Sequence, residues 1–517
     1  MKKYSIWGIF LLLATSCTDF LDRFPLGTES NDTFWSTEAQ ANAALNGCYN
    51  DWYSMENIIY FDCASDNAYN PYPWEGWQVA ASGAATSGDS GRDFFSYTSI
   101  ARCNAFIANI DRVTSMSEAK RNQMKAEARF LRAFDYFMKV TLYGGVPLVT
   151  EPADINADQA RNTKEEVANF VIAESKEIAP LLAGTGKGHA STGAAYALKA
   201  RMELFVGKYA DAAASCQEVM KLGYSLMPDY KSIFLPENEN NAEVILNVEY
   251  EESSYTNTIL GVMPPSSSGG WSSIDPTQAL VDNYECVDGK PISESTLYNP
   301  KDPYKNRDSR LAATIVYPGA LYNGAYLNSI DQADPTGDYY APYGRSKTGY
   351  YPRKYVDNKG LYADIWKSGM NGIVIRYAET LLTYAEAKIE LNQLEQSVYD
   401  AINLVRLRAG LPEVDQTVYN NQTKMRELIR RERRSELAME GIRWFDVCRW
   451  AIGEQVMKGK VYGALLGTVN PTTGDLALTD TRIEVETREF NTNKHYLWAI
   501  PQKYIDATPA IKQNPNY

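Results

Sequence analysis

Ala194-Ala195-Tyr196-Ala197-Leu198-Lys199-Ala200-Arg201-Met202-Glu203-Leu204-Phe205 runs through Val206-Gly207-Lys208-Tyr209 into Ala210-Asp211-Ala212-Ala213-Ala214-Ser215-Cys216-Gln217-Glu218-Val219-Met220-Lys221-Leu222. The first run carries small and apolar residues on one face of a 3.6-residue period. Gly207 turns the chain, and the return run points Ala212, Cys216 and Val219 inward. Alanines at the crossing points let two helices approach closely. Stacked helix pairs bury one another's faces, so such a pair is scaffold and needs no chemistry of its own.

The same texture recurs on both sides. From Ala119 to Leu142 the residues Met124, Ala128, Leu131, Phe134, Met138 and Leu142 form one stripe, which ends at Gly144-Gly145-Val146-Pro147. Thr163-Lys164-Glu165-Glu166 has the spacing of a capping box, in which Thr and Glu satisfy each other's free backbone donors. Ile375, Ala378, Leu381, Leu382, Ala385 and Ile389 make a further stripe. It turns at Asn392-Gln393-Leu394 and returns through Ala401, Leu404, Val405 and Leu407. Gly, Tyr, Ala and an apolar residue at the offsets of the 194–222 pair are similar to a tetratricopeptide unit. Residues 50–100 and 225–370 instead are rich in Tyr, Trp, Asn, Asp, Gly and Pro, which predicts loops and short strands lying on the scaffold. The fold class expected is mostly α: helix pairs covered by a loop-rich face.

The chain has 517 residues and a net charge of −13. That balance disfavours nucleic acid and anionic bilayers as main partners, because both attract cationic surfaces. With only 2 histidines, His189 and His495, a multi-His metal centre is excluded and a His-based triad has few ways to form. Aromatics are abundant, with 36 Tyr, 16 Phe and 10 Trp, so the loop-rich regions are not expected to be disordered.

Residues 1–16 read as an address. Lys2 and Lys3 precede a short apolar stretch, Ile6 to Leu13, too short to span a bilayer. Ala14-Thr15-Ser16-Cys17 then has the form of a lipobox, in which Cys17 is acylated and becomes the new N-terminus. More than one acyl chain on a cysteine gives stable anchoring. An ordinary cleaved signal peptide is the alternative. The other cysteines, Cys48, Cys63, Cys103, Cys216, Cys286 and Cys448, form no C-x-x-C pair, and buried thiols are the expectation.

Glu432, Glu436 and Glu440 stand four apart in the most charged run, Glu427 to Gly441. Paired carboxylates suggest a glycosidase, but like charges at this spacing repel and require cations. Arg406, Arg408, Arg443 and Arg449 are the expected suppliers, which makes a buried Arg–Glu lattice the favoured account. Gly184-Thr185-Gly186-Lys187-Gly188 lacks the Ser or Thr that a phosphate loop needs after its lysine. The remaining chemistry lies in the loops. Asp66-Asn67-Ala68-Tyr69-Asn70-Pro71-Tyr72-Pro73-Trp74-Glu75-Gly76-Trp77 concentrates aromatics, amides and carboxylates, and Ser266-Ser267-Ser268-Gly269-Gly270-Trp271 sets a tryptophan among small residues. A sugar ring offers an apolar face for stacking and a fringe of hydroxyls for side-chain hydrogen bonds. Asp66, Asn67, Trp74, Trp77 and Trp271 are therefore the candidate ligand-binding residues. Replacing Trp74 and Trp77 together is expected to remove binding and leave unfolding nearly unchanged.

Several segments, in order along the chain, resemble the SusD/RagB family of outer-membrane nutrient-binding lipoproteins. They are Phe20-Leu21-Asp22, Phe34-Trp35, Ala44-Leu45-Asn46-Gly47-Cys48-Tyr49, Arg129-Phe130-Leu131-Arg132-Ala133-Phe134-Asp135-Tyr136-Phe137 and Tyr143-Gly144-Gly145-Val146-Pro147-Leu148. Arg307-Asp308-Ser309-Arg310-Leu311, Ile375-Arg376-Tyr377-Ala378-Glu379, Arg406-Leu407-Arg408-Ala409-Gly410-Leu411 and Glu440-Gly441-Ile442-Arg443-Trp444-Phe445-Asp446 follow, and Gln513-Asn514-Pro515-Asn516-Tyr517 closes the chain. The resemblance implies a SusD-like scaffold of four tetratricopeptide-like helix pairs. It implies one domain over 17–517, with an N-terminal part to about 300 and a C-terminal part from about 301. It further implies a non-enzymatic, surface-exposed outer-membrane lipoprotein that captures oligosaccharides and hands them to a SusC-type TonB-dependent transporter. No cofactor is implied, and an acidic loop could hold a structural calcium ion. A RagB-like peptide binder on the same scaffold is the first alternative, and a surface hydrolase using Glu436 and Glu440 the second.

Overall fold

The computed structural model describes residues 34–152, 158–340, 344–356 and 359–517. The signal segment and Cys17 lie outside the described residues. The scaffold consists of α1 (Glu38–Tyr49), α2 (Thr98–Asn109), α3 (Glu118–Tyr143), α4 (Lys164–Ile178), α5 (Thr192–Phe205), α6 (Tyr209–Met220), α7 (Tyr377–Glu390), α8 (Gln396–Arg408) and α9 (Gln422–Glu436). Several begin on a side-chain cap that satisfies otherwise free backbone donors. Thr37 and Gln40 form a capping box on α1, as do Thr163 and Glu166 on α4. Gly144, at φ +74, terminates α3.

The helices pair as α1 with α2, α3 with α4, α5 with α6 and α7 with α8. Successive pairs stack, and α6 packs directly against α7 although residues 221–376 separate them in sequence. The loop-rich excursion therefore leaves the stack between two adjacent helices and returns to the same place. Its base is closed by β1 (Val244–Val248) and β2 (Gly372–Arg376), paired antiparallel with Val248 opposite Gly372. Ile375, read from the sequence as the start of a helical stripe, belongs to β2, and α7 begins at Tyr377. The α6–α9 junction has its own core of Ala212, Cys216, Ala378, Leu381, Ala385, Ile402, Val405 and Leu428. Small side chains at these positions bring the helix axes close, as the alanine pattern predicts.

The acidic stripe is an internal lattice. Glu432 receives Arg310 at 2.6 Å and Arg406 at 2.9 Å, and Glu436 receives Arg310 at 2.9 Å, Arg376 at 2.5 Å and also Arg408. Glu440 lies beyond the helix end and pairs with Arg376 at 2.7 Å and Lys354 at 2.9 Å. Arg406 and Arg408 take the expected role. Arg443 and Arg449 do not: they turn to Asp66 and to Glu386 with Asp446. Burial alone would raise the Glu436 pKa, but Arg408, Arg376 and Arg310 outweigh it and hold the carboxyl below its ordinary range. A buried carboxylate held by three arginines has no free oxygen for a substrate, which removes Glu436 as a hydrolytic acid or base.

A long hairpin, β3 (Gly459–Val469) and β4 (Leu476–Arg488), follows α9 and was not among the sequence expectations. Its last residue matters to the loop face: Arg488 donates to the carbonyls of Ser65 at 2.6 Å and Ala68 at 3.0 Å. Cys48, Cys63, Cys103, Cys216 and Cys286 are buried free thiols, and Cys448 is free and half-buried. Among the described residues no helix is long and apolar enough to cross a membrane. No group of three or more metal-ligating side chains is assembled among them either.

Candidate functional site

Two loops far apart in sequence meet on one face. Ala68–Tyr69 pairs antiparallel with Asp275–Pro276, with Ala68 opposite Pro276. This ladder sets the Trp74 turn beside the Trp271 loop. The turn is a single 3-10 coil, Pro73–Glu75, closed by Gly76 N–H donating to the Pro73 carbonyl at 3.0 Å. Gly76 has φ +79, and a Cβ there would collide with the Gly91 carbonyl, so glycine is required on both counts.

The turn sends its two tryptophans in opposite directions. Trp74 is 73% exposed and stacks on Tyr72, with centroids 4.9 Å apart. Trp77 opens the next short helix and is 2% exposed. Its neighbours are Tyr60, Phe61, Phe94 and Trp498, at centroid distances of 6.1, 5.0, 6.1 and 6.4 Å. Trp77 is a core side chain, and the expectation that it contacts a ligand is corrected on that ground. Asp66 and Asn67 are corrected likewise. Asp66 is buried between Arg443 at 2.7 Å and Arg434 at 2.8 Å. Burial would raise its pKa, but those two arginines hold it at about 2. Asn67 donates to Asp62 at 2.6 Å and accepts from Arg434 at 2.8 Å. Both residues brace the loop from beneath.

Trp271 remains at the surface, 46% exposed. Its loop is held by backbone bonds from Trp271 N to Gly261 O, 2.9 Å, and from Ser273 N to Val262 O, 2.7 Å. The Tyr72 hydroxyl donates to the Trp271 carbonyl at 2.7 Å, and the Trp271 ring meets Trp366 edge-on at 5.1 Å. A Cβ on Gly261 would strike the Trp366 ring, so this glycine provides a flat seat for it. Tyr72, Trp74, Trp271 and Trp366 thus form one aromatic ledge. Trp366 lies in a segment without periodicity, and only the tertiary structure brings it to the ledge. Tyr72 was visible in the quoted loop but indistinguishable there from its tyrosine neighbours.

Two carboxylates fasten the ledge, the half-buried Glu75 and the buried Asp275. Glu75 accepts from Asn70 at 2.5 Å, from Ser273 at 3.0 Å and from Tyr60 at 3.1 Å, joining the two loops. Burial raises its pKa, and these donors pull it partly back. Asp275 accepts from the Ser272 hydroxyl at 2.6 Å and the Lys347 N–H at 2.7 Å, and burial pushes it up to about 7. Preorganised rings such as the exposed Trp74 and Trp271 can stack on a ligand at little cost in ordering entropy. They carry no nucleophile and no acid–base pair of their own.

The SusD family model matches residues 237–517. A second family model, described as starch-binding associating with outer membrane, matches residues 19–204. A SusD-like protein of Bacteroides ovatus is 27% identical over 485 residues, which cover 87% of this chain and 82% of that protein. The starch-binding protein SusD of Bacteroides thetaiotaomicron is 25% identical over 199 residues, 34% of this chain and 36% of its own. Among solved structures, a SusD-like carbohydrate binding protein from Bacteroides fragilis superposes with a TM-score of 0.82 at 29% identity, covering 93% of this chain and 100% of that one. The stacked helix pairs, the excursion between α6 and α7 and these matches lead to one conclusion: the chain belongs to the SusD family.

Proposed function

We propose that this protein is a lipid-anchored glycan-binding protein of the outer membrane, which captures oligosaccharides on the Tyr72–Trp74–Trp271–Trp366 ledge and passes them to a SusC-type TonB-dependent transporter. The carrying observation is Trp74, an indole 73% exposed, stacked on Tyr72 and fixed by a turn that only glycine can close. An exposed large aromatic held rigid gains about 1.5–3 kcal/mol when a ligand covers it fully. The similarity to the carbohydrate binding protein from Bacteroides fragilis supports the same ligand class. Anchoring rests on Cys17, and the outer-membrane location on the description of the family model that matches residues 19–204.

Affinity electrophoresis through gels containing single polysaccharides tests the reading. Retardation by one polymer, lost in Trp74→Ala and weakened in Trp271→Ala with unfolding unchanged, is the expected result. Retardation unaffected by both substitutions overturns it. Binding of basic peptides that free oligosaccharide does not displace would assign the ledge to peptides instead. Delivery is tested by oligosaccharide uptake in cells expressing Trp74→Ala, which should fall with binding.

A further inference from the structure

Beside the ledge lies a cleft of ≈ 490 Å³, lined by Ser267, Tyr322, Tyr326, Asp331, Asp334 and Asp338 among others. It shares a wall with the ledge. Ser267 and Ser268 border the cleft and belong to the 3-10 turn Ser266–Ser268 that leads into Gly269, Gly270 and Trp271. From Ser268 to Trp271 the chain spans at most about 11 Å even when fully extended. The two features are also tied crosswise: Ser267 donates to Asp338 at 3.3 Å and Asn323 donates to Ser268 at 2.9 Å. A chain molecule lying over Trp271 can therefore extend into this cleft.

The cleft is electrostatically one-sided. Three aspartates border it, and among its described lining residues there is no lysine or arginine. Thr336, through both hydroxyl and N–H, holds Asp334 below the ordinary carboxylate range, so it is ionised at neutral pH. Burial moves Asp338 the other way, partly offset by Ser267. Arg345, on the segment that follows, lays its guanidinium over the Tyr339 ring at 4.4 Å and donates to the Tyr339 carbonyl at 2.6 Å. Clefts lined by one sign of charge focus the field, and discrimination arises as much from repelling the wrong ligand as from attracting the right one.

We propose that the cleft continues the ledge as a second saccharide subsite, and that Asp331, Asp334 and Asp338 select uncharged or amine-bearing glycans against glycans carrying uronate or sulfate. This rests on the glycan reading of the ledge and adds the charge class of the ligand. Hydroxyl and ammonium groups donate to the three carboxylates, whereas an anionic sugar unit places a like charge against a wall whose described lining residues supply no compensating cation.

The test uses the full chain in detergent against matched polymers: amylose, laminarin and galactomannan, the C6-carboxylated form of each, and polygalacturonate. For whichever neutral polymer binds, its carboxylated form should bind at least about tenfold more weakly at low salt. Simultaneous Asp331→Asn, Asp334→Asn and Asp338→Asn should narrow that gap to about threefold. Raising NaCl on the unaltered chain should narrow it too, a measurement that needs no variant to fold. Carboxylated polymer or polygalacturonate binding as tightly as neutral polymer overturns the inference. So does a gap that neither the triple variant nor salt alters; if Trp74→Ala still weakens binding about tenfold, the ledge reading survives that failure. Binding undiminished in Trp74→Ala overturns the ledge reading itself, and no binding to any polymer overturns both.

Discussion

Replacing Trp77 by alanine separates the core from the ledge more sharply than any other change. The side chain is 2% exposed and touches four aromatic rings, the nearest being Phe61 at 5.0 Å. Arg92 lies over its face at 5.2 Å. Removing a buried tryptophan costs about 3–5 kcal/mol, because lost transfer energy is joined by a cavity that rigid neighbours cannot close. Unfolding entropy near about 2.1 cal/mol/K per residue gives about 1 kcal/mol/K for a chain this long, so the melting temperature should fall by about 3–5 °C. Trp74→Ala removes an indole already in water, with an expected cost under about 0.5 kcal/mol and a melting shift under about 0.5 °C. A sugar covering one face of that indole recovers roughly half of its full burial value, so the same change should weaken glycan binding about tenfold. Scanning calorimetry and affinity electrophoresis on both variants decide the matter. A Trp77→Ala protein melting within about 1 °C of the parent would refute the packing argument. A Trp74→Ala protein melting as low as Trp77→Ala would make Trp74 structural as well.

The lattice and the ledge support give two more expectations. Arg376→Met strips Glu243, Glu436 and Glu440 of a shared partner and should cost about 3–5 kcal/mol in urea unfolding, since it leaves buried carboxylates uncompensated; a loss below about 1 kcal/mol would mean the lattice is electrostatically idle. Asp275 keeps its proton to about pH 7 in the folded chain, while an unfolded aspartate releases it near about pH 4. Between those values the unfolded chain binds fewer protons, so this residue makes stability decline as pH rises across the window. Asp275→Asn should flatten that decline in urea midpoints taken at about pH 5 and about pH 8, and an unchanged slope would place its origin elsewhere.

Where periodicity is strong, the sequence reading and the structure agree closely. The Met124–Leu142 stripe lies within Glu118–Tyr143, the Thr163–Glu166 box caps Lys164–Ile178, and the alanine-rich run at 194–222 forms a helical hairpin. These features depend on residues three and four apart, which a helix brings together without help from the rest of the chain. The β3–β4 hairpin has no such signature, because its strands are half-exposed and its register is broken by irregularities.

The loop face divides along the same line. From the sequence alone came the family resemblance, the helical scaffold, the need of Glu432 and Glu436 for cations and the concentration of aromatics at 66–77 and 266–271. Composition marks where such groups gather, but not which way they point. Trp74 and Trp77 sit in one short turn with similar flanking residues, yet one stacks on Tyr72 in solvent and the other fills a pocket between Phe61 and Trp498. Asp66 and Asn67 look like hydroxyl-binding groups until Arg434 and Arg443 arrive from near the C-terminal end of the chain. Trp366 joins the ledge through Gly261 and Trp271, and the acidic cleft through Ser267 and Ser268. Direction is set by what the rest of the chain packs against each side chain. That is a property of long-range contacts, and the tertiary structure alone contains it.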